Sequence, residues 1–291
     1  MKKILIAIFA AVMINILSLN PCFAIKIGLL TSVSSASIGT SVKGVIVDAN
    51  TNKTICEIEA MKGYEIKPYH SVMAIRYEGK YYKIDSNNIV IKPTSAGFVS
   101  TKAKWYRGII MIKNTNKKLT VINDVPLEDY IKGVVPAEMP TSWAYEAHKA
   151  QAIAARSYAL ANLGKRASLG YDLKDTPEDQ AYSGASVETS GTNAAVDDTK
   201  GIVLTHDAKV ISAYYSASAG GQTNTNSWGT SVPYLRSVPS FDENIKKNGH
   251  GVGMSQHGAN NLAKQGYNAY QILQYFYKDV KFARINPKSY N

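Results

Sequence analysis

The chain has 291 residues, with 33 Lys and Arg against 22 Asp and Glu and a net charge of +11. Hydrophobic residues make up 45% and there are only 2 cysteines, which suits one large or two ordinary globular domains and excludes a collagen, a disordered acidic chain or a disulfide scaffold. The 19 tyrosines against 6 phenylalanines, with the basic balance, point to a polar, hydroxylated or anionic partner: nucleic acid, an anionic membrane or a wall polymer.

Residues 1–24 read as an export segment. Lys2 and Lys3 form a positive start, Ile4 to Leu19 are mostly apolar, and Cys22 and Ala24 occupy the −3 and −1 positions of a cleavage site after Ala24. The alternative is an uncleaved membrane anchor, although the apolar run is slightly short of the roughly 20 residues that a spanning helix needs. Cleavage removes two lysines and no acid, which leaves +9. It also leaves Cys56 as the sole cysteine, so no intrachain disulfide can form. Export takes nucleic acid out of the expected partners. The remaining charge fits an anionic wall polymer or serves ordinary solubility.

Residues 25–118 form a β-rich region. Lys43–Val47 and Lys53–Glu59 flank an Ala-Asn-Thr-Asn turn, and Ser71–Tyr77 and Tyr81–Ile84 flank Glu78-Gly79. Asn88–Lys92 is a further strand. Trp105–Lys113 and Leu119–Asn123 make a hairpin around Asn114–Lys117. Cys56 alternates with Ile55 and Ile58 and reads as a buried thiol.

Residues 119–291 change character, giving an α+β fold class: a β-rich N-terminal region, then a mixed α/β domain around one long Ala-rich helix. Pro126 opens a short helix with Asp124 as its N-cap. Pro136 and Pro140 bracket Glu138 in a turn. The long helix spans about 142–163, with Trp143, Ala147, Ala150, Ala154, Tyr158 and Ala161 on one face and Gly164 past its end. Residues 165–200 read as a long irregular loop over a site. Strands at 201–205 and 209–215 follow, then a Gly/Ser-rich loop at 216–230. Ser255 caps a helix at 256–264, Asn268 starts a last helix that buries Ile272, Leu273 and Phe276, and residues 280–285 form a closing strand.

Glu138 is the strongest chemical candidate. Apolar Val134, Val135, Ala137 and Met139 desolvate it, which raises a carboxyl pKa and keeps a proton for donation. The competing reading is a solvated turn glutamate. Lys149 and Arg156 share a helix face and either hold an anionic group or form a solvated basic face. Ser216, Ser218, Gly220 and Gly221 offer hydroxyls and amides in a loop that a polymer can approach closely. His250 and Gln256 belong to a second glycine-dense stretch. His206, His250 and His257 offer a metal site as an alternative, but no H-E-x-x-H motif or cysteine pair supports it, so no metal and no cofactor are expected.

Four ordered stretches resemble the SpoIID/LytB family. They are P-L-E-D-Y-I-K-G-V-V-P-A-E-M-P from Pro126, E-A-H-K-A-Q-A-I-A-A-R-S-Y from Glu146, S-A-S-A-G-G-Q-T from Ser216, and G-H-G-V-G-M-S-Q-H-G-A from Gly249. The resemblance implies peptidoglycan glycan strands as substrate and a lytic transglycosylase that prefers strands stripped of stem peptides. It implies Glu138 as the catalytic residue and Lys149 and Arg156 as site residues. It also implies the alternative activity of the LytB type, a wall-binding enhancer of an N-acetylmuramoyl-L-alanine amidase, and a SpoIIP-like amidase as partner. Tyr158, Tyr214 and Tyr215 are the tyrosines expected to stack on sugar faces. The link between Asp242 and Gly249 is short for the family, and His148, Ala219 and His257 replace its usual Leu, Ser and Tyr. Residues 165–200 lack the Cys and His that bind zinc in some members.

Overall fold

The computed structural model describes residues 23–225, 229 and 231–285. Most of the predicted export segment lies outside them, as does Trp228 of the Gly/Ser-rich loop. The first half is built of β1 (Ala24–Val33), β2 (Ala36–Thr40), β3 (Gly44–Asp48), β4 (Thr54–Ile58), β5 (Tyr64–Tyr69), β6 (Val72–Tyr77), β7 (Lys80–Ile84), β8 (Asn88–Pro93), β9 (Val99–Thr101), β10 (Lys104–Tyr106), β11 (Ile109–Thr115) and β12 (Lys118–Pro126). Alternation along the strands turns one side inward: in β11, Ile110 and Ile112 are fully buried between half-exposed neighbours. The three expected hairpins are present as β3–β4, β6–β7 and β11–β12. Cys56 lies in β4 and is only half-buried, because this strand is the edge of its sheet.

The second half contains α1 (Leu127–Glu138), α2 (Tyr145–Ala161), β13 (Leu173–Lys174), α3 (Ser190–Asp198), β14 (Ile202–His206), β15 (Lys209–Val210), β16 (Tyr215–Ser216), β17 (Met254–Ser255), α4 (Gln256–Lys264), α5 (Ala269–Phe276) and β18 (Lys281–Arg284). Among the described residues one sheet runs β13-β1-β12-β11-β8-β3-β4 and a second runs β10-β9-β2-β5-β6-β7. A third runs β15-β14-β18, and β16 pairs β17 in parallel.

Two helix starts differ from expectation: α2 begins at Tyr145 instead of about 142, and α1 lacks its expected cap. Asp124 lies inside β12 and does not cap α1, which has no side-chain cap. The Phe23 carbonyl instead accepts the Leu127 amide at 2.8 Å, so the residue just before β1 satisfies an otherwise orphan helix donor. Ser255 and Asn268 do cap α4 and α5, accepting from the Gly258 and Gln271 amides.

Helix α2 is buried on nearly every side from Ala147 to Leu160, the pattern of a helix inside a core. One hydrophobic cluster joins Ile25 and Ile27 of β1 to Val134, Ala155, Ala159 and Val203. A second joins Ala147, Ala150 and Ala154 to Leu262, Ile272 and Phe276. The alanines of α2 therefore serve two cores, and small side chains let helices approach from both sides. The first cluster crosses residue 118, where β12 begins.

Residues 165–200 are more ordered than the expected loop. Helix α3 starts at a reciprocal capping box between Thr189 and Thr192. The Ser-Gly between these threonines hid it, because the usual acidic partner is absent. The preceding segment is pinned by ion pairs: the Asp179 side chain is buried and bonds Lys165 at 2.7 Å and Arg166 at 2.6 Å.

Candidate active site

Glu138 is the last residue of α1, not a turn residue between two prolines. Pro136 lies inside the helix and has no amide hydrogen for the Lys132 carbonyl, and the helix ends two residues later. The chain then turns extended at Met139, whose amide still reaches the Val135 carbonyl at 3.0 Å.

Three segments converge on the carboxyl group. The Ala181 amide donates to Oε1 at 2.7 Å, the Tyr215 hydroxyl donates to Oε1 at 3.4 Å, and the Gln256 amide donates to Oε2 at 3.2 Å. Burial pushes the Glu138 carboxyl above the usual carboxylate range, and the three hydrogen bonds only partly offset it. Its position at a helix C-terminus, where partial charges are negative, works in the same direction as burial.

The parallel bridge between β16 and β17 explains the convergence. It pairs Tyr215 with Met254 and Ser216 with Ser255, so the Gly/Ser-rich loop and the 249–258 stretch meet beside α1. Gln256 follows directly as the first residue of α4. Asp242 holds this arrangement together. Its carboxylate accepts from the Ala219 and Gly221 amides, each at 2.8 Å, from the Ser255 hydroxyl at 2.6 Å and from the Ser240 hydroxyl. Burial alone would raise its pKa, but these four bonds outweigh that and hold it below the usual range. Asp242 carried no motif signal in the sequence.

Two glycines set the spacing. A Cβ on Gly258 would stand 1.9 Å from the Ser240 carbonyl oxygen, and one on Gly253 would stand 2.0 Å from the Tyr214 carbonyl oxygen. Gly253 also has φ +72°, which a larger residue rarely adopts. Gly258→Ala is expected to push α4 from the Asp242 loop and cost about 1–3 kcal/mol, the range for overpacking. Chemical denaturation measures it, and an unchanged midpoint would show that the close approach is not needed.

A cavity of about 630 Å³ opens in front of Glu138. Tyr158, Tyr214, Tyr215, Ser216, His250 and Gln256 all line it. Tyr158 packs edge-on against Tyr214, with ring centroids 5.7 Å apart. Nδ1 of His250 accepts the Val252 amide at 2.9 Å, so the neutral ring carries its hydrogen on Nε2. Burial holds the imidazole below its usual pKa range; the Lys247 charge adds to this and the hydrogen bond to the Tyr215 backbone opposes it.

Other expected site residues are placed elsewhere. Arg156 is fully buried and grips Glu128 through two bonds of 2.9 and 2.7 Å, while also donating to the Ile202 carbonyl at 3.0 Å. Its fork is spent inside the protein. Lys149 pairs with Glu146 at 2.9 Å, and Glu146 in turn accepts the first amide of α5 from Ala269 at 2.7 Å. That ties α2 to α5. Ser218 is buried and donates to the Lys246 carbonyl at 2.7 Å. Gly220 and Gly221 sit on the Asp242 side of the loop, with Gly221 bonded to that carboxylate. His257 packs on Trp143, and His206 bonds the Asp279 carbonyl. No cluster of three or more His, Cys, Asp or Glu residues is placed to hold a metal among the described residues.

Sequence reasoning missed Gln180 and Ala181. They lie in an aperiodic polar stretch, and only contacts remote in sequence place them. Tyr182 anchors that stretch: its ring packs on Tyr130, with centroids 4.8 Å apart, and its hydroxyl donates to Asn123 at 2.7 Å.

A family model described as SpoIID, stage II sporulation protein, matches residues 115–206. The chain is 34% identical over 196 residues to an uncharacterized protein of Brachyspira hyodysenteriae, covering 66% of this chain and 49% of that one. It is 46% identical over 107 residues to a Bacillus subtilis protein named amidase enhancer, covering 36% of this chain and 14% of that one. It is 25% identical over 305 residues to the stage II sporulation protein D of Bacillus subtilis, covering 72% of this chain and 88% of that one. The chain thus spans about half of the first relative and a small part of the second.

Proposed function

The chain carries a domain of the SpoIID/LytB family, and from that premise we propose that it is an exported lytic transglycosylase acting on the glycan strands of peptidoglycan. The observation that carries this reading is a lone carboxyl poised as an acid. Among the described residues three carboxylates line the cavity: Glu138, Glu178 and Asp179. Glu178 is locked to Arg166 at 3.2 Å and Lys174 at 2.7 Å, and Asp179 to Lys165 and Arg166. Glu138 alone has neutral partners, and burial raises the pKa of its carboxyl above the usual carboxylate range.

An ordinary glycosidase needs two working carboxyl groups, one as acid and one as base or nucleophile. A transglycosylase needs one. Glu138 protonates the glycosidic oxygen between MurNAc and GlcNAc and the bond breaks. The C6 hydroxyl of the same MurNAc attacks the oxocarbenium-like carbon, and Glu138 takes back the hydroxyl proton. The product is a 1,6-anhydro-MurNAc end. When the carboxyl is protonated, Oε2 carries the hydrogen: Oε1 accepts the short amide bond and the tyrosine bond, so it stays the carbonyl oxygen, while Oε2 has one longer donor among the described residues.

The test is digestion of peptide-stripped glycan strands, with mass spectrometry of the products. Anhydro-MurNAc ends are expected. A second reading, a wall-binding enhancer of an amidase with no cleavage of its own, is favoured by the 46% identity to the amidase enhancer. Strand binding without anhydro ends, together with stimulation of an added N-acetylmuramoyl-L-alanine amidase, would select it.

A further inference from the structure

We propose that Gln180 is a positioning residue whose amide makes the Tyr215 hydroxyl a donor to Glu138. Its role in cleavage rests on the transglycosylase reading; the hydrogen-bond geometry does not.

Gln180 is 1% exposed and stands between three elements. Its Nε2 donates to the Ala155 carbonyl of α2 at 3.2 Å and to the Tyr215 hydroxyl oxygen at 2.8 Å. Its Oε1 accepts from the Tyr130 hydroxyl of α1 at 3.1 Å. A backbone carbonyl can only accept, so Ala155 fixes which end of the amide is nitrogen. With both amide hydrogens spent, the Tyr215 oxygen receives one of them. The single tyrosine hydrogen then has an acceptor in Oε1 of Glu138 at 3.4 Å. The sense of every bond from Tyr130 to Glu138 follows from that one carbonyl.

The chain is buried at its centre. Tyr130 is fully enclosed, and the Tyr215 hydroxyl is its outlet at the cavity. An unmade bond inside the protein is costly, so the Tyr215 hydroxyl is held as a donor without a conformational search. A donor to a carboxylate favours the ionised form. Gln180 therefore limits how far burial raises Glu138, which lets the residue both release a proton and recover one.

The experiment is a double-mutant cycle on the free, full chain. The 13C signal of the Glu138 carboxyl is titrated in 13C-Glu-labelled protein and assigned by its loss in Glu138→Gln. Tyr215→Phe is expected to move the titration midpoint to higher pH. Placed on Gln180→Met, the same substitution is expected to move it by a smaller amount, because the hydroxyl is no longer held toward Glu138 by the amide. If Gln180→Met does not fold, Gln180→Leu serves as the second background, since it too lacks the amide that engages the tyrosine oxygen. A purely structural Gln180 would leave the effect of Tyr215→Phe the same in both backgrounds, and that result overturns the proposal. So does a Tyr215→Phe midpoint equal to the parent's. The titration needs no glycan: failure of the parent chain to form anhydro ends overturns the transglycosylase reading alone.

Discussion

Glu138→Gln is expected to lower the formation of anhydro-MurNAc ends by roughly 10²–10⁴-fold, the usual contribution of a positioned acid and base. The substitution fits the site. A glutamine oxygen in place of Oε1 keeps the Ala181 and Tyr215 bonds, and the Gln256 amide can turn its oxygen toward the new nitrogen. Binding of glycan strands should survive. A variant that keeps more than a tenth of the parent activity would remove Glu138 from the chemistry.

The pH dependence has a defined sign. The folded pKa of Glu138 lies above its unfolded value because burial disfavours the charged form. Activity that needs the acid falls as pH rises through that raised pKa, so its alkaline limb lies above the range of an ordinary carboxyl. Stability runs the same way. The contribution of this group is fully present below the unfolded pKa and is lost as pH rises through the folded one. Glu138→Gln removes that loss. The variant should gain thermal stability relative to the parent as pH increases across this window, and melting curves at a series of pH values read it. A stability difference independent of pH would contradict the buried-acid description.

Breaking the Arg156–Glu128 pair is the second large effect. Glu128→Ala leaves a guanidinium with no solvent exposure and no counter-charge, and about 3–5 kcal/mol is expected from such a loss. Glu128 also accepts the Gly201 amide at 3.0 Å, so the entry to β14 loosens as well. Arg156→Lys should recover little, because a lysine cannot make the two parallel bonds of 2.9 and 2.7 Å. Denaturant midpoints measure both. A stable Arg156→Ala protein that folds normally but no longer binds glycan would return this arginine to the substrate.

The two charged residues of α2 show where reading the sequence stops. Spacing alone puts Lys149 and Arg156 on one helix face. It does not say which way that face points: Arg156 meets Glu128 of α1 inside the protein, while Lys149 pairs with Glu146 one turn earlier on its own helix. Glu138 was legible because its own neighbours, Val134, Val135 and Met139, supply the desolvation, and all three are buried. Ser255 and Asn268 were legible because a cap acts within its own helix turn. Asp124 was misread because Phe23, about a hundred residues away in the chain, provides the acceptor that a cap would have supplied.

The sequence by itself determined the α+β class, the hairpins, the alanine helix, the capped C-terminal helices and the acid at 138. These rest on period, turn chemistry and local apolar density, which act between residues close along the chain. Tertiary structure alone decided what surrounds the acid. Ala181, Tyr215 and Gln256 reach one carboxyl from three distant segments, and Asp242 ties two loops that share no sequence signal. Hydrogen bonds and desolvation depend on distance in space, and only the packing of α1, α2 and the β16–β17 bridge fixes that distance.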